Sequence, residues 1–150
     1  MRWQKLYNPI VVLLLRSPLH GLMSSSVILL TYRGRRSARE FTTPVSYVRD
    51  DGGLLVVGSR DHSWWKNLRG GAPVVVRVRG LKREGIAEAF EGEDAEEGLL
   101  AVLRSVPAYR RYWGIKLDAT GRPQDPAALA RVARGNALVR VRNLSELRGG

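Results

Sequence analysis

Six strand-length runs rich in β-branched residues, most joined by little more than a turn, restrict this chain to few architectures. They read "SSVILLTY", "EFTTPVSYVR", "LLVVGS", "PVVVRVR", "REGIAEAF" and "ALVRVR". The first is continuously apolar, as a strand buried on both faces would be. The second alternates, and Pro44 within it argues for an edge or a bulge, because proline donates nothing to a sheet ladder. "DDGG" is a turn into the third. In the fourth, Val74, Val76 and Val78 fall on one face and Arg77 and Arg79 on the other. The last alternates Val139 and Val141 against Arg140 and Arg142.

Helical periodicity is confined to the flanks. "EDAEEGLLAVLRSV" has an acidic first turn and a later Arg104, matching the helix dipole, and "DPAALARVAR" is a second, shorter helix. An N-terminal helix is expected over residues 1–25, with Pro9 near its start and Pro18 ending or kinking it. Its apolar core, Ile10 to Leu15, is too short to span a bilayer, which takes about 20 residues, and Arg16 interrupts it before any signal-cleavage site. Two readings stay open for it: packing on the domain, or lying on a membrane with Trp3 and Tyr7 beside Arg2, Lys5 and Arg16. Strands followed by helices, with no βαβ alternation and no GxGxxG motif, point to one antiparallel α+β domain over residues 26–150, a barrel.

Charge is what the pattern of strands does not explain. The chain carries +11, nearly all its base is arginine, and five of its fourteen acids crowd between Glu91 and Glu97. An anionic partner follows: nucleic acid, anionic lipid or a phosphorylated ligand. Four arginines, Arg33, Arg35, Arg36 and Arg39, crowd the turn "RGRRSARE" between the first two strands. A solvated basic turn is the plain explanation. The other is an anion nest, in which backbone N–H groups and the Ser37 hydroxyl add to the guanidinium forks. In "GSRDHSWWKNL", Trp64 and Trp65 stand beside Arg60, His62 and Lys66; adjacent tryptophans on a short helix cannot both point inward, so one is core and the other can line a pocket. "PAYRRYWG" sets Tyr109 and Tyr112 three apart, on one face if helical, either packed or placed to give a proton to a substrate.

Other chemistries lack their residues. There is no cysteine, and the two histidines have no metal-site spacing. No nucleophile-elbow motif is present. An enzyme built from this chain needs a cofactor to carry the chemistry.

Taken in order, Gly34-Arg35-Arg36-Ser37, Thr43-Pro44-Val45, Gly58-Ser59-Arg60, Trp65 with Asn67-Leu68, and Pro73 to Val78 resemble the deazaflavin-dependent nitroreductases of the split β-barrel flavin and deazaflavin oxidoreductases. The resemblance covers about residues 26–80. It implies a split barrel that binds coenzyme F-420, whose phosphate and polyglutamate tail make it a polyanion, and passes hydride to a quinone, nitroaromatic or enone. On that basis Arg35, Arg36 and Arg60 would hold phosphate or tail carboxylates, with Ser37 and Ser59 bonding near phosphate or ring. Thr43, Pro44 and Val45 would lie along the cofactor, Trp64 and Trp65 would wall the pocket, and Tyr109 and Tyr112 would sit over the substrate. Family members of this type often have a membrane-associated N-terminal segment, and the absence of cysteine is compatible with a reducing cytoplasm, so the expected place is the cytoplasm, with peripheral contact at the inner membrane face where that segment binds lipid.

Departures are visible. Ala38 stands where the pattern has glycine, which is expected to alter the loop's backbone, and Asp61-His62 replace a glycine pair. FMN is the alternative cofactor, since the superfamily includes FMN and haem binders; its single phosphate needs fewer arginines. A non-enzymatic binder of nucleic acid or anionic membrane is the alternative of a different class. It predicts arginines spread over an outer face, whereas an enzyme predicts Arg35, Arg36 and Arg60 converging on a pocket beside the tryptophans.

Overall fold

The computed structural model describes residues 27–51, 53–78 and 81–146; the expected N-terminal helix and Arg79 lie outside them. Six strands, β1 (Val27–Arg33), β2 (Glu40–Asp50), β3 (Gly53–Ser59), β4 (Ala72–Val78), β5 (Leu81–Phe90) and β6 (Asn136–Glu146), close into a barrel in the order β1-β2-β3-β6-β5-β4. Every neighbouring pair is antiparallel, including the β1–β4 pair that closes it. A short 3-10 helix, Trp64–Leu68, links β3 to β4. Three helices, α1 (Glu93–Ser105), α2 (Pro107–Trp113) and α3 (Ala128–Gly135), separate β5 from β6. Two late helices were expected; the tyrosine segment forms the additional one, starting on Pro107, where a missing N–H costs no helical bond.

Alternation along the strands builds two cores. Ile28, Leu30, Tyr32, Val45, Tyr47, Leu54, Val56, Val74, Val76, Val139 and Val141 point into the barrel. The opposite faces of β3 and β6 offer Leu55 and Leu138 to α1 and α3, which bury Leu99, Val102, Leu103, Val132 and Ala133 against them. Gly98 makes that contact possible, because a Cβ there would lie 1.7 Å from Leu138 Cδ2. Among the described residues, none of the three α-helices packs on the outer wall of β1, β4 and β5 as α1 and α3 do on β3 and β6, and Ile86 is 44% exposed there. Along the first strand Ile28, Leu30 and Tyr32 are buried in the barrel, and Val27, Leu29 and Thr31, alternating outward, are half-buried among the described residues.

Pro44 is accommodated differently from the edge or bulge its ring suggested. β2 is interior to the closed barrel, yet it pairs β3 only from Tyr47 onward. Pro44, opposite Leu29 of β1, lies in the half of the strand with a single neighbour, so on the other side there is no ladder to break. The irregularity falls instead on β6. The register with β5 slips between Glu84 and Ile86, and Asn143 takes φ 59°, a left-handed conformation that asparagine tolerates better than most residues.

Because all pairs are antiparallel, the ends of β1, β3 and β5 and the starts of β2, β4 and β6 meet at one end of the barrel. The arginine turn, the 3-10 helix and Glu91 all fall at this end, called the loop end below.

Candidate functional site

Residues 34–39 make a tight turn closed by Gly34 N–H to Arg39 O at 2.8 Å and Ala38 N–H to Gly34 O at 2.9 Å. The Ser37 hydroxyl accepts the Arg39 N–H at 3.3 Å. Ala38 sits at φ 58°. Alanine thus occupies the left-handed region that glycine enters without strain, at about 1–2 kcal/mol for a residue with a Cβ. Ala38→Gly is expected to stabilise the fold by about 0.5–1 kcal/mol, the strain relieved less glycine's larger unfolded-state entropy. Thermal unfolding checks this, and a midpoint that stays put or falls would mean that Ala38 is unstrained.

None of the loop's arginines is in an ion pair among the described residues; the four pairs found join Arg60 and Arg69 to Glu91, Arg131 to Asp125 and Arg140 to Asp50. The loop is tied to the 3-10 helix instead. Arg35 donates its N–H to Asn67 Oδ1 at 3.0 Å and its Nε–H to Asn67 O at 3.2 Å. The Arg36 and Ser37 N–H groups take no part in these bonds. Among the described residues, two successive amides without a hydrogen bond thus lie beside guanidinium groups without an ion pair, the set of donors that an anion calls for.

The two tryptophans separate as one core and one rim residue. Trp65 is 1% exposed, and its Nε1–H donates to Ser59 O at 2.8 Å. Trp64 is half-buried and packs on Tyr32, ring centroids 6.2 Å apart, so it plugs the barrel mouth with Tyr32 and Phe41. Both stand against β3, and neither lines an open cavity among those described. Burial pushes the Tyr32 phenol up, partly offset by its hydrogen bond with Thr43.

Arg60 is turned away from the loop. Its guanidinium meets Glu91 at 3.3 Å and donates to Ala133 O at 3.3 Å, and its Nε is buried without a partner. Arg69 grips the same carboxylate at 2.7 and 3.0 Å. Arg60, Lys66 and Arg69 lie 5.8, 5.8 and 5.2 Å from the Trp65 ring centroid. The hydrogen bonds from Arg69 hold the Glu91 carboxyl below its ordinary range. The Ser59 hydroxyl accepts the Asp61 N–H at 3.2 Å, and so serves the local turn.

Along β2 the pleat divides Thr43, Pro44 and Val45. Thr43 and Val45 face inward with Phe41, and Pro44 faces out. The tyrosines divide as well, which corrects the single face expected of them. Tyr109 packs on Trp113 at 5.0 Å within the helical layer, and Tyr112 is 83% exposed. Burial pushes the Tyr109 phenol up, so it keeps its proton at neutral pH. Neither touches the arginine loop.

A groove of about 460 Å³ runs over the outer wall of β1, β4 and β5. Its floor is Pro73, Val75 and Ile86; Arg33, Glu40, Glu84, Asn143 and Ser145 stand along it. Arg33 and Glu40 pair across the strands on either side of the arginine turn, so groove and turn are contiguous. The slip in β6 is what brings Asn143 and Ser145 there. Sequence reasoning missed this groove, Asn67 and Glu91. Asn67 was visible in the "WKNL" motif, whereas the groove is drawn from five strands and has no local signal.

Among the described residues, no helix is long and apolar enough to cross a membrane, and no cluster of His, Asp and Glu is arranged to hold a metal.

Comparison with known proteins adds the following. The family model described as F420H(2)-dependent quinone reductase matches residues 17–123, well over half of the chain. No curated protein sequence matches. Among solved structures, a putative pyridoxamine 5'-phosphate oxidase from Listeria innocua aligns with TM-score 0.52 at 13% identity, covering 95% of this chain and 98% of that one. A general stress FMN/FAD binding protein from Xanthomonas citri aligns with TM-score 0.50 at 17% identity, covering 84% and 82%. An F420-H2 dependent reductase (FDR-A) gives TM-score 0.49 at 19% identity, covering 77% and 93%. At such identities the structural likeness is one of fold, and the fold is the split barrel.

Proposed function

The chain belongs to the F420H(2)-dependent quinone reductase family, and from that premise we propose that the arginine turn and the adjoining groove are the site at which it uses coenzyme F-420 to reduce a quinone. The single observation that carries this reading is a cluster of arginines without ion pairs, opening directly onto a cavity of about 460 Å³. The residues fit the coenzyme's chemistry. Arg35, Arg36 and Arg39, with the free N–H groups of Arg36 and Ser37, supply a grip for phosphate and tail carboxylates. Pro73, Val75 and Ile86 give a planar ring an apolar floor.

When bound, the reduced coenzyme supplies the hydride; the chain supplies position, a drier surface and hydrogen bonds. Thr31, Asn143 and Ser145 line the groove with donors that can polarise an acceptor oxygen. A quinone is the acceptor class put forward first, with nitroaromatics and enones as wider candidates. Arg60, committed to Glu91 and Ala133, acts as a strut behind the site, not as a ligand to the tail. Trp65 holds the 3-10 helix in place and Trp64 closes the barrel mouth. Tyr109 and Tyr112, in the helical layer, take no part in this arrangement.

Separate titrations with F-420, FMN and a DNA duplex test the proposal. F-420 is expected to bind at micromolar concentration or tighter, FMN more weakly for want of a tail, and DNA weakly with a steep salt dependence. Tight DNA binding with no binding of either coenzyme would leave only a non-specific basic surface.

A further inference from the structure

The arginine turn closes on itself through its own backbone, which shapes the loop but does not set its tilt against the barrel. The described hydrogen bonds that leave the turn for another element both end on one residue, Asn67. Its side-chain amide is used at both ends. Oδ1 accepts the Arg35 N–H at 3.0 Å, and Nδ2–H donates to Trp64 O at 3.0 Å. A carbonyl opposite one end and an N–H opposite the other allow a single orientation of that amide. The platform beneath is rigid, for Trp65 is 1% exposed and Leu68 is 0% exposed. The main-chain carbonyl of Asn67 then takes the Nε edge of Arg35, and the two Nη nitrogens are left without a hydrogen bond.

We propose that Asn67 is the positioning residue of the anion site: it transmits the fixed orientation of the 3-10 helix to the arginine turn and aims the Arg35 fork and the free Arg36 and Ser37 amides at one incoming phosphate. This inference rests on the function proposed above. It adds that affinity depends on a residue that need not touch the coenzyme. Without the amide, the turn keeps its internal bonds but samples several tilts, and binding must bear the ordering.

The test uses the full-length protein, its Asn67→Ala and Asn67→Asp variants, and two probes, inorganic pyrophosphate and F-420. Asn67→Ala is expected to weaken both probes about tenfold, the usual scale for one hydrogen bond left unmade at a partly exposed group. In quinone reduction the loss is expected as a higher apparent KM for the coenzyme. Amide hydrogen exchange supplies the readout beyond activity. Exchange at Arg35 speeds up in Asn67→Ala, is slowed again in Asn67→Asp, which keeps an acceptor for that N–H, and at Val56 in the barrel core is the same in all three. If Asn67→Ala does not fold, Asn67→Leu, similar in size and also without an acceptor, carries the test with the same expected results. Unchanged affinity with unchanged Arg35 exchange in the variant that lacks the acceptor overturns the inference while leaving the site intact. Failure of the wild type to bind either probe overturns the site itself, and the inference with it.

Discussion

Arg36→Ala is expected to lower the affinity for coenzyme F-420 by roughly 10- to 100-fold, the equivalent of one or two charge-assisted hydrogen bonds to phosphate or carboxylate. Arg140→Ala is the control. Its guanidinium lies 3.6 Å from Asp50 on the barrel wall, away from the turn, so the change should move affinity by less than about twofold. Both variants lose one positive charge, so bulk electrostatics predicts equal effects and a site predicts unequal ones. Fluorescence or calorimetric titration of the coenzyme into each decides between them. Equal losses would remove the case for a site at the turn. The wild-type affinity should itself fall with added salt, because several of the contacts are between exposed charges.

Trp65→Ala should be the most damaging single change to the fold, lowering stability by about 3–5 kcal/mol as for other large aromatic truncations in a core. Trp65 is the largest fully buried side chain described, it satisfies Ser59 O, and three cationic side chains lie around its ring. Its removal opens a cavity under the 3-10 helix and unseats the platform on which the arginine turn rests. Trp64→Ala, at a half-buried position on Tyr32, should cost markedly less. Chemical denaturation of the two variants gives the comparison, and losses of similar size would contradict the division into one core and one rim tryptophan.

How far the sequence alone reveals this molecule varies with the range of the interactions involved. Strand positions were legible because barrel strands alternate, and Val74, Val76, Val139 and Val141 are buried as that period requires. The antiparallel barrel followed from short turns and from the absence of crossover helices. What was not legible depends on contacts made far along the chain. Arg60 looked free beside a tryptophan pair, but its partner Glu91 lies 31 residues away in an acidic stretch that read as a helix start. Tyr109 and Tyr112, three apart, subtend about 60° on a helix, enough for one to enter the core and the other to leave it. Which of Trp64 and Trp65 points inward is set by the short helix's seating on β3, and no local pattern records that. Ala38 was expected to alter the turn's backbone, but it takes the left-handed φ that glycine would, because the turn's own hydrogen bonds fix that conformation.

The wall that carries the groove has a consequence for how this protein can change over generations. In β1, Ile28, Leu30 and Tyr32 face the interior while Thr31 and Arg33 border the groove, and β4 and β5 repeat the arrangement. On the function proposed above, folding and ligand choice are written largely on alternate letters of the same strands, with Tyr32 and Val74 serving both. On that reading a lineage can drift toward a new acceptor by substituting the outward residues, with most steps leaving the barrel interior untouched.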